Sequence, residues 1–136
     1  MKEFTLDANC VVEGIVEGEA LVTQDCISFM GTVNPNTGYI IERKHDIEGE
    51  CIKDKILVFP SAKGSTGGAY MLYEAASNHV GPKAIINRTI DSVVVIGCIV
   101  ADIPMVVGAD ISQIHTGDYI YLNATEGTIR VVRKDS

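Results

Sequence analysis

The sequence predicts a mixed, β-rich α/β domain, and three observations carry that prediction. The 136 residues are 46% hydrophobic and 21% charged, enough apolar material for one buried core without disulfide or metal staples. Short apolar, often β-branched runs recur along the chain, bounded by Gly, Pro, Asn and Asp. One stretch, after "KGSTGG", changes clearly to the three-and-four spacing of a helix. No repeat, linker or low-complexity tract divides the chain, so residues 1–136 read as a single compact domain.

The elements follow in order. Residues 9–22, "NCVVEGIVEGEALV", alternate loosely and are punctuated by Gly14 and Gly18, which predicts a twisted or bulged strand. "CISFM" (26–30) reads as a second strand, and Asn34-Pro35-Asn36-Thr37-Gly38 as a turn. "KILVF" (55–59) carries little polarity, as expected of a strand covered on both faces. From Gly67, the recurrence of Ala69, Leu72, Ala76 and Val80 predicts an amphipathic helix ending near Gly81-Pro82. "KAIIN" (83–87) returns to strand, so 55–87 forms a β-turn-α-β unit. "SVVVIGCIVAD" (92–102) is ambiguous between strand and buried helix. "PMVV" (104–107) is another short strand, and "DYIYLNATEGTIRVV" (118–132) is a hairpin turning at Glu126-Gly127.

Composition excludes some functions. A net charge of −7 opposes nucleic-acid binding, because phosphates would be repelled. The charge is uneven: residues 1–54 hold eleven acids and four bases. That asymmetry reads either as a solvated acidic face or as a surface for a basic partner. No apolar run reaches the ~18 residues of a bilayer span. The start, Met1-Lys2-Glu3-Phe4, has no signal-peptide core, so a cytoplasmic protein is expected. Cys10, Cys26, Cys51 and Cys98 are too far apart for a CxxC knuckle and sit among apolar neighbours, which predicts buried free thiols.

Gly64-Ser65-Thr66-Gly67-Gly68 is the stretch with most chemical content. It is not a P-loop, since Lys63 precedes Gly64 and the GxxxxGK[ST] spacing is missing; a Rossmann GxGxxG is absent too. Two readings stay open. The free N–H groups at the helix start, the Ser65 and Thr66 hydroxyls and the Lys63 charge suit an anion. Alternatively, Ser65 or Thr66 only caps the helix. No GxSxG elbow supports a hydrolase. His79 lies near a helix C-terminus, His115 precedes the hairpin, and His45 in "ERKHDIEGE" reads as a surface-loop residue that could face a cleft. Asn34 and Thr37 are turn formers first and ligand contacts second.

The stretches "GEALVTQDCISFMGTVNPNTGYI", "HDIEGECIKDKILVFPSAKGSTGGAYMLYEA", "PKAIINRTID", "IGCIVADIPMV" and "TGDYI" span nearly the whole chain. In that order the chain resembles the small, swivel-domain subunit of the aconitase X family. "KGSTGGAYMLYE" and "IVADIPMV" look most like its archaeal branch. The resemblance implies a swivelling β/β/α fold over residues 1–136 and a two-subunit hydro-lyase with its active site at the subunit interface. It implies an iron–sulfur cluster, 4Fe-4S in type, on the large catalytic subunit and none bound by this chain alone. The activity implied by the archaeal branch is dehydration of mevalonate 5-phosphate to trans-anhydromevalonate 5-phosphate, in the modified mevalonate route to isoprenoids. The partners implied are that large subunit and a small phosphorylated hydroxy acid.

Carried residue by residue, the resemblance makes Ser65 the proton acceptor. Gly64, Thr66, Gly67 and Lys63 stand beside it as substrate contacts. Gly67 occupies the place of an arginine in aconitases, so carboxylate binding by that arginine does not transfer. Where many relatives have Asp-Pro, this chain has Asn34-Pro35. Lys63, Lys83 and Arg88 are the phosphate candidates. A bacterial activity of the same family, cis-3-hydroxy-L-proline dehydration, is the first alternative, and a non-catalytic anion-binding or scaffold module is the second.

Overall fold

A computed structural model describes residues 1–63 and 67–134. Among these residues eight strands form one sheet: β1 (Lys2–Asp7), β2 (Asn9–Val12), β3 (Ile15–Val22), β4 (Ile56–Phe59), β5 (Ala84–Asn87), β6 (Met105–Val107), β7 (Tyr119–Asn123) and β8 (Thr128–Arg133). Two helices, α1 (Gly67–Ser77) and α2 (Ser92–Ala101), join β4 to β5 and β5 to β6. The strand order is β1-β8-β7-β3-β4-β5-β6-β2. β1, β8, β7 and the first half of β3 are antiparallel, and the second half of β3 with β4, β5 and β6 is parallel. β2 closes the parallel half as an antiparallel edge strand.

The long strand β3 serves both halves. Ile15–Glu19 pair with β7, and Ala20–Val22 pair with β4. The two sheet edges also meet. β1 and β2 lie at opposite ends of the order, yet only Ala8 separates them. Since consecutive Cα atoms are ~3.8 Å apart, the sheet must curl until its edges approach.

Alternation then fills two cores. Ile56 and Val58 of β4 face the interior of the curled sheet with Ile86, Val106, Ile120, Leu122, Ile129 and Val131. Leu57 and Phe59 face the other way, against Leu72, Val94, Cys98 and the buried residues of the 23–55 segment, among them Ile27, Phe29, Ile40 and Ile52. The result is three layers, β/β/α, as the resemblance implies.

Several elements differ from expectation. The predicted strand over 9–22 divides at Gly14, which has φ +153° and leaves no room for a Cβ: one would lie 2.5 Å from Pro104 Cγ. β1 is an additional strand, and its alternation in "KEFTLD" is visible in the sequence. Residues 26–30 are not a strand. Only Ile27 bridges Ala62, while the Ser28 N–H is taken by the Thr32 hydroxyl and the Thr32 N–H by the Ser28 carbonyl. Local side-chain bonds have captured the backbone there.

α1 stops at Ser77, short of Gly81. His79 takes a left-handed φ of 61°, and the Val80 N–H donates to the Ala75 carbonyl at 2.9 Å, a Schellman ending. The ambiguous 92–102 segment is helical through Ala101. Asp91 caps it, its Oδ1 accepting from the Val93 and Val94 N–H groups at 2.9 and 3.4 Å. Asp102, at φ 56°, ends it as His79 ends α1. The helices pack closely because Gly97 lacks a side chain: a Cβ there would sit 2.9 Å from Leu72 Cδ2 and 3.4 Å from Ala69.

The hairpin forms as predicted, and Gly127 (φ 72°) in its turn lies against Ala8: a Cβ there would be 2.2 Å from the Ala8 oxygen. Its base is locked by Asp118. Arg133 donates to both carboxylate oxygens, Nε at 2.8 Å and Nη2 at 2.9 Å, and the His115 N–H adds a third bond at 2.8 Å. Burial works against the Asp118 charge, but the Arg133 and His115 bonds outweigh it and hold the carboxyl below its ordinary value. Because this folded-state pKa is depressed, the stability it supplies is full above the usual Asp range near ~3.9 and is lost as pH falls through the lowered value. Asp118→Ala should cost ~3 kcal/mol by denaturant melts at neutral pH. The gap between the variant and the natural chain should shrink as the buffer is taken below pH ~4.

Candidate functional site

β4, β5 and β6 run in the same direction, so their carboxyl ends share one edge of the sheet. In open α/β sheets that edge is where ligands gather. Here it is tied together by backbone bonds. The Arg88 and Thr89 N–H groups both donate to the Pro60 carbonyl, at 3.1 and 3.0 Å, and the Gly108 N–H donates to the Arg88 carbonyl at 3.1 Å. The exits of all three strands are thereby fixed relative to one another.

Lys63 follows β4 and is held by the 23–55 layer. Its N–H donates to the Ile27 carbonyl at 3.1 Å, and its ammonium donates to Glu42 Oε2 at 2.8 Å. The other Glu42 oxygen accepts the hydroxyl of the fully buried Thr32 at 2.5 Å. The bonds from Lys63 and then Thr32 hold the Glu42 carboxyl below its ordinary pKa, and the Glu42 bond raises that of Lys63. The Lys63 charge expected beside the glycine turn is therefore half of an ion pair.

His45 is buried rather than a surface-loop residue. Nδ1 accepts the Ile47 N–H at 3.3 Å, so the ring proton sits on Nε2, which donates to the Cys26 carbonyl at 3.1 Å. Both nitrogens are occupied in holding the layer together, which leaves neither for a proton abstraction.

Asn87 ends β5 at this edge and is fully buried. It is in register with Phe59, so its side chain faces the helix layer. Nδ2 donates to the Phe59 and Ile86 carbonyls at 3.0 and 3.3 Å, while Oδ1 has no partner among the described residues. An orphaned buried acceptor is costly in a folded chain. Arg88, next to it, is exposed and joins no ion pair among the described residues.

Gly67 is the first residue of α1, and Gly68 is buried behind it; a Cβ on Gly68 would lie 3.3 Å from Val93 Cγ1 and 3.7 Å from the Phe29 nitrogen. Gly64, Ser65 and Thr66 lie outside the described residues. Lys63, Gly67 and Arg88 share the strand-exit edge. The other candidates do not. Asn34 accepts the Asn36 N–H in its own turn at 2.8 Å, and Asn78, just past the end of α1, donates to the Pro35 carbonyl at 2.9 Å. The 34–38 turn, with Thr37, therefore sits at the far end of a helix ~16 Å long. Lys83 precedes β5, at the opposite edge, and donates to the Glu17 carbonyl at 3.1 Å. His79 closes α1, and His115 is exposed in the turn before β7.

The thiols are free but not uniformly buried. Cys10 is exposed on β2, Cys26 and Cys51 are half-buried, and only Cys98 is enclosed, where burial pushes its thiol up to about 12. Apolar neighbours misled the expectation at Cys10, because neighbours along a strand face opposite ways. Among the described residues no three Cys, His, Asp or Glu side chains gather within reach of a metal ion, so those residues do not fit an iron–sulfur cluster. Sequence reasoning did not single out Thr32, Glu42 or Asn87. The polar residue closing the apolar run "AIIN" was a legible signal for Asn87; nothing local links Thr32 to Glu42.

A family model described as the aconitase X swivel domain matches residues 5–131. The phosphomevalonate dehydratase small subunit of Thermococcus sibiricus is 48% identical over 87% of this chain and 91% of its own length. That of Methanococcoides burtonii is 38% identical over 97% and 98%. The crystal structure of Thermococcus kodakaraensis aconitase X in its holo-form superposes with a TM-score of 0.94 at 40% identity, covering 96% of this chain and 99% of that one.

The bonds around Thr32 make an expectation about the layer that carries Lys63. Thr32→Val strands the Ser28 N–H and one Glu42 oxygen and should cost ~1–3 kcal/mol in chemical denaturation. Glu42→Gln, at an exposed pair, should cost less than ~1 kcal/mol.

Proposed function

The chain belongs to the aconitase X swivel-domain family, and from that premise we propose that it is the small subunit of a phosphomevalonate dehydratase. It is a hydro-lyase subunit that works with a large subunit to remove water from mevalonate 5-phosphate, giving trans-anhydromevalonate 5-phosphate. The observation that carries the reading is end-to-end correspondence: relatives of that name are 38–48% identical over most of both chains. The larger partner holds the iron–sulfur cluster, which when bound supplies a Lewis acid for the departing hydroxyl.

This chain's share is the proton. Ser65 takes the hydrogen beside the substrate carboxylate, and Gly64, Thr66 and Gly67 bring backbone and hydroxyl groups near the same acid. A serine is a weak base unless its oxyanion is stabilised, and the N-terminal N–H groups of a helix supply such a field. Lys63 adds less than its charge suggests, because Glu42 shares it. Arg88 joins no ion pair among the described residues at the same edge and is the favoured contact for the phosphate.

The test is co-purification with a larger partner, followed by assay of mevalonate 5-phosphate and cis-3-hydroxy-L-proline as separate substrates. Dehydration of the phosphorylated acid is expected; turnover of the proline alone would overturn the assignment. Ser65→Ala should leave the assembly intact and lower turnover by ~10²–10⁴, the usual worth of a general base. Wild-type turnover in that pure, assembled variant would remove Ser65 from the mechanism. Arg88→Ala should raise KM for the phosphorylated substrate by about tenfold or more while changing kcat less, as loss of a ground-state contact does.

A further inference from the structure

The outward side of the helix layer is unusually apolar. α2 contains no charged residue, and Ile96, Ile99 and Val100 are 53%, 60% and 58% exposed. Their spacing of three and four puts them on one side of the helix. Ile90, just before α2, is 61% exposed, and Tyr70 and Tyr73 of α1 are 64% and 44% exposed. Because Gly97 seats α2 against Ala69 and Leu72, the outward residues of both helices belong to one layer. Exposed apolar surface of this extent, in a chain with a well-filled core, marks a contact surface.

The antiparallel half of the sheet also shows apolar residues, Ile15, Tyr119 and Tyr121, but charge is interleaved with them. The Arg130 guanidinium lies 4.6 Å from the Tyr121 ring centroid and pairs with Glu3. In the two helices the sole charged residue is Glu74. The helix layer is thus the drier of the two faces.

We propose that this helix face, centred on Ile96, Ile99 and Val100, is where the large subunit docks. The inference rests on the reading above that such a subunit exists. Two observations favour it over a second copy of this chain. The chain corresponds almost end to end with proteins named small subunits, which calls for a covering partner of a different kind. The face also begins at Ile90, two residues from Arg88, so one partner covers both the apolar patch and the strand-exit edge. Glu74 and the exposed Asp102 flank the patch, so the matching surface is apolar with basic residues at its rim.

The experiment is co-expression of the full chain with its large subunit, reading complex formation by co-purification and by binding titration without substrate. Ile99→Glu and Val100→Glu, both at exposed positions, should melt like the natural chain when isolated and bind the large subunit at least about tenfold more weakly. Ile15→Glu, on the other face, should bind within about twofold of the natural chain. Two folded glutamate variants that bind with unchanged affinity overturn the proposal. So does a dimer of the isolated chain that Ile99→Glu dissociates while the large subunit still binds normally. A complex that forms through this face yet does not dehydrate mevalonate 5-phosphate overturns the assigned reaction and leaves the docking face standing. A dehydrating complex indifferent to both variants does the reverse, and failure of the natural chain to bind any large subunit removes both.

Discussion

A single residue sets the geometry of the molecule. Ala8 joins strands from opposite edges of an eight-stranded sheet, and its N–H donates to the Gly127 carbonyl at 2.9 Å. A flat sheet cannot satisfy that link. Once the sheet curls, its interior must be filled by the apolar residues of both halves, as Ile56, Val58, Ile86, Ile120 and Leu122 do. The opposite face of the parallel half must then be covered by something else. That cover is the helix pair and the 23–55 layer, and their meeting line with the sheet is the strand-exit edge. Closure, cover and site location are successive consequences of one short connection.

The same edge concentrates features that cost stability elsewhere. Among the described residues Asn87 holds a buried oxygen without a partner and Arg88 joins no ion pair, while Gly68 gives up side-chain packing to let the start of α1 approach α2. Lys63, by contrast, is quieted by Glu42. The arrangement separates a cation that organises the protein from one left available at the edge. A residue type alone does not reveal which lysine or arginine has which task; the partner does.

How much of this was legible in the chain depended on the range of the determining contacts. β4, β5 and α1 were readable because apolar runs and three-and-four spacing are local signals. α2 was not, since an uncharged segment such as "SVVVIGCIVA" suits a strand or a helix, and the decision came from Asp91 capping one end and Asp102 closing the other. The apparent strand at 26–30 failed because Thr32 captured the backbone of Ser28. In the site, the glycine turn and Lys63 were legible as chemistry, whereas the Lys63–Glu42–Thr32 chain and the burial of His45 depend on segments brought together by the fold.

The 23–55 layer has a further consequence for how motion is distributed. Beneath its buried apolar residues, its polar bonds are turns, isolated bridges and side-chain bonds, such as Thr23 to Asp46 at 2.9 Å and His45 to Cys26, rather than a continuous ladder. Amide hydrogens there should exchange through smaller openings than those of β4 and β5, whose residues are buried on both faces. An opening that carried Glu42 away would also release the Lys63 ammonium. The cohesion of a loop layer and the charge that Lys63 presents are therefore linked through one bond.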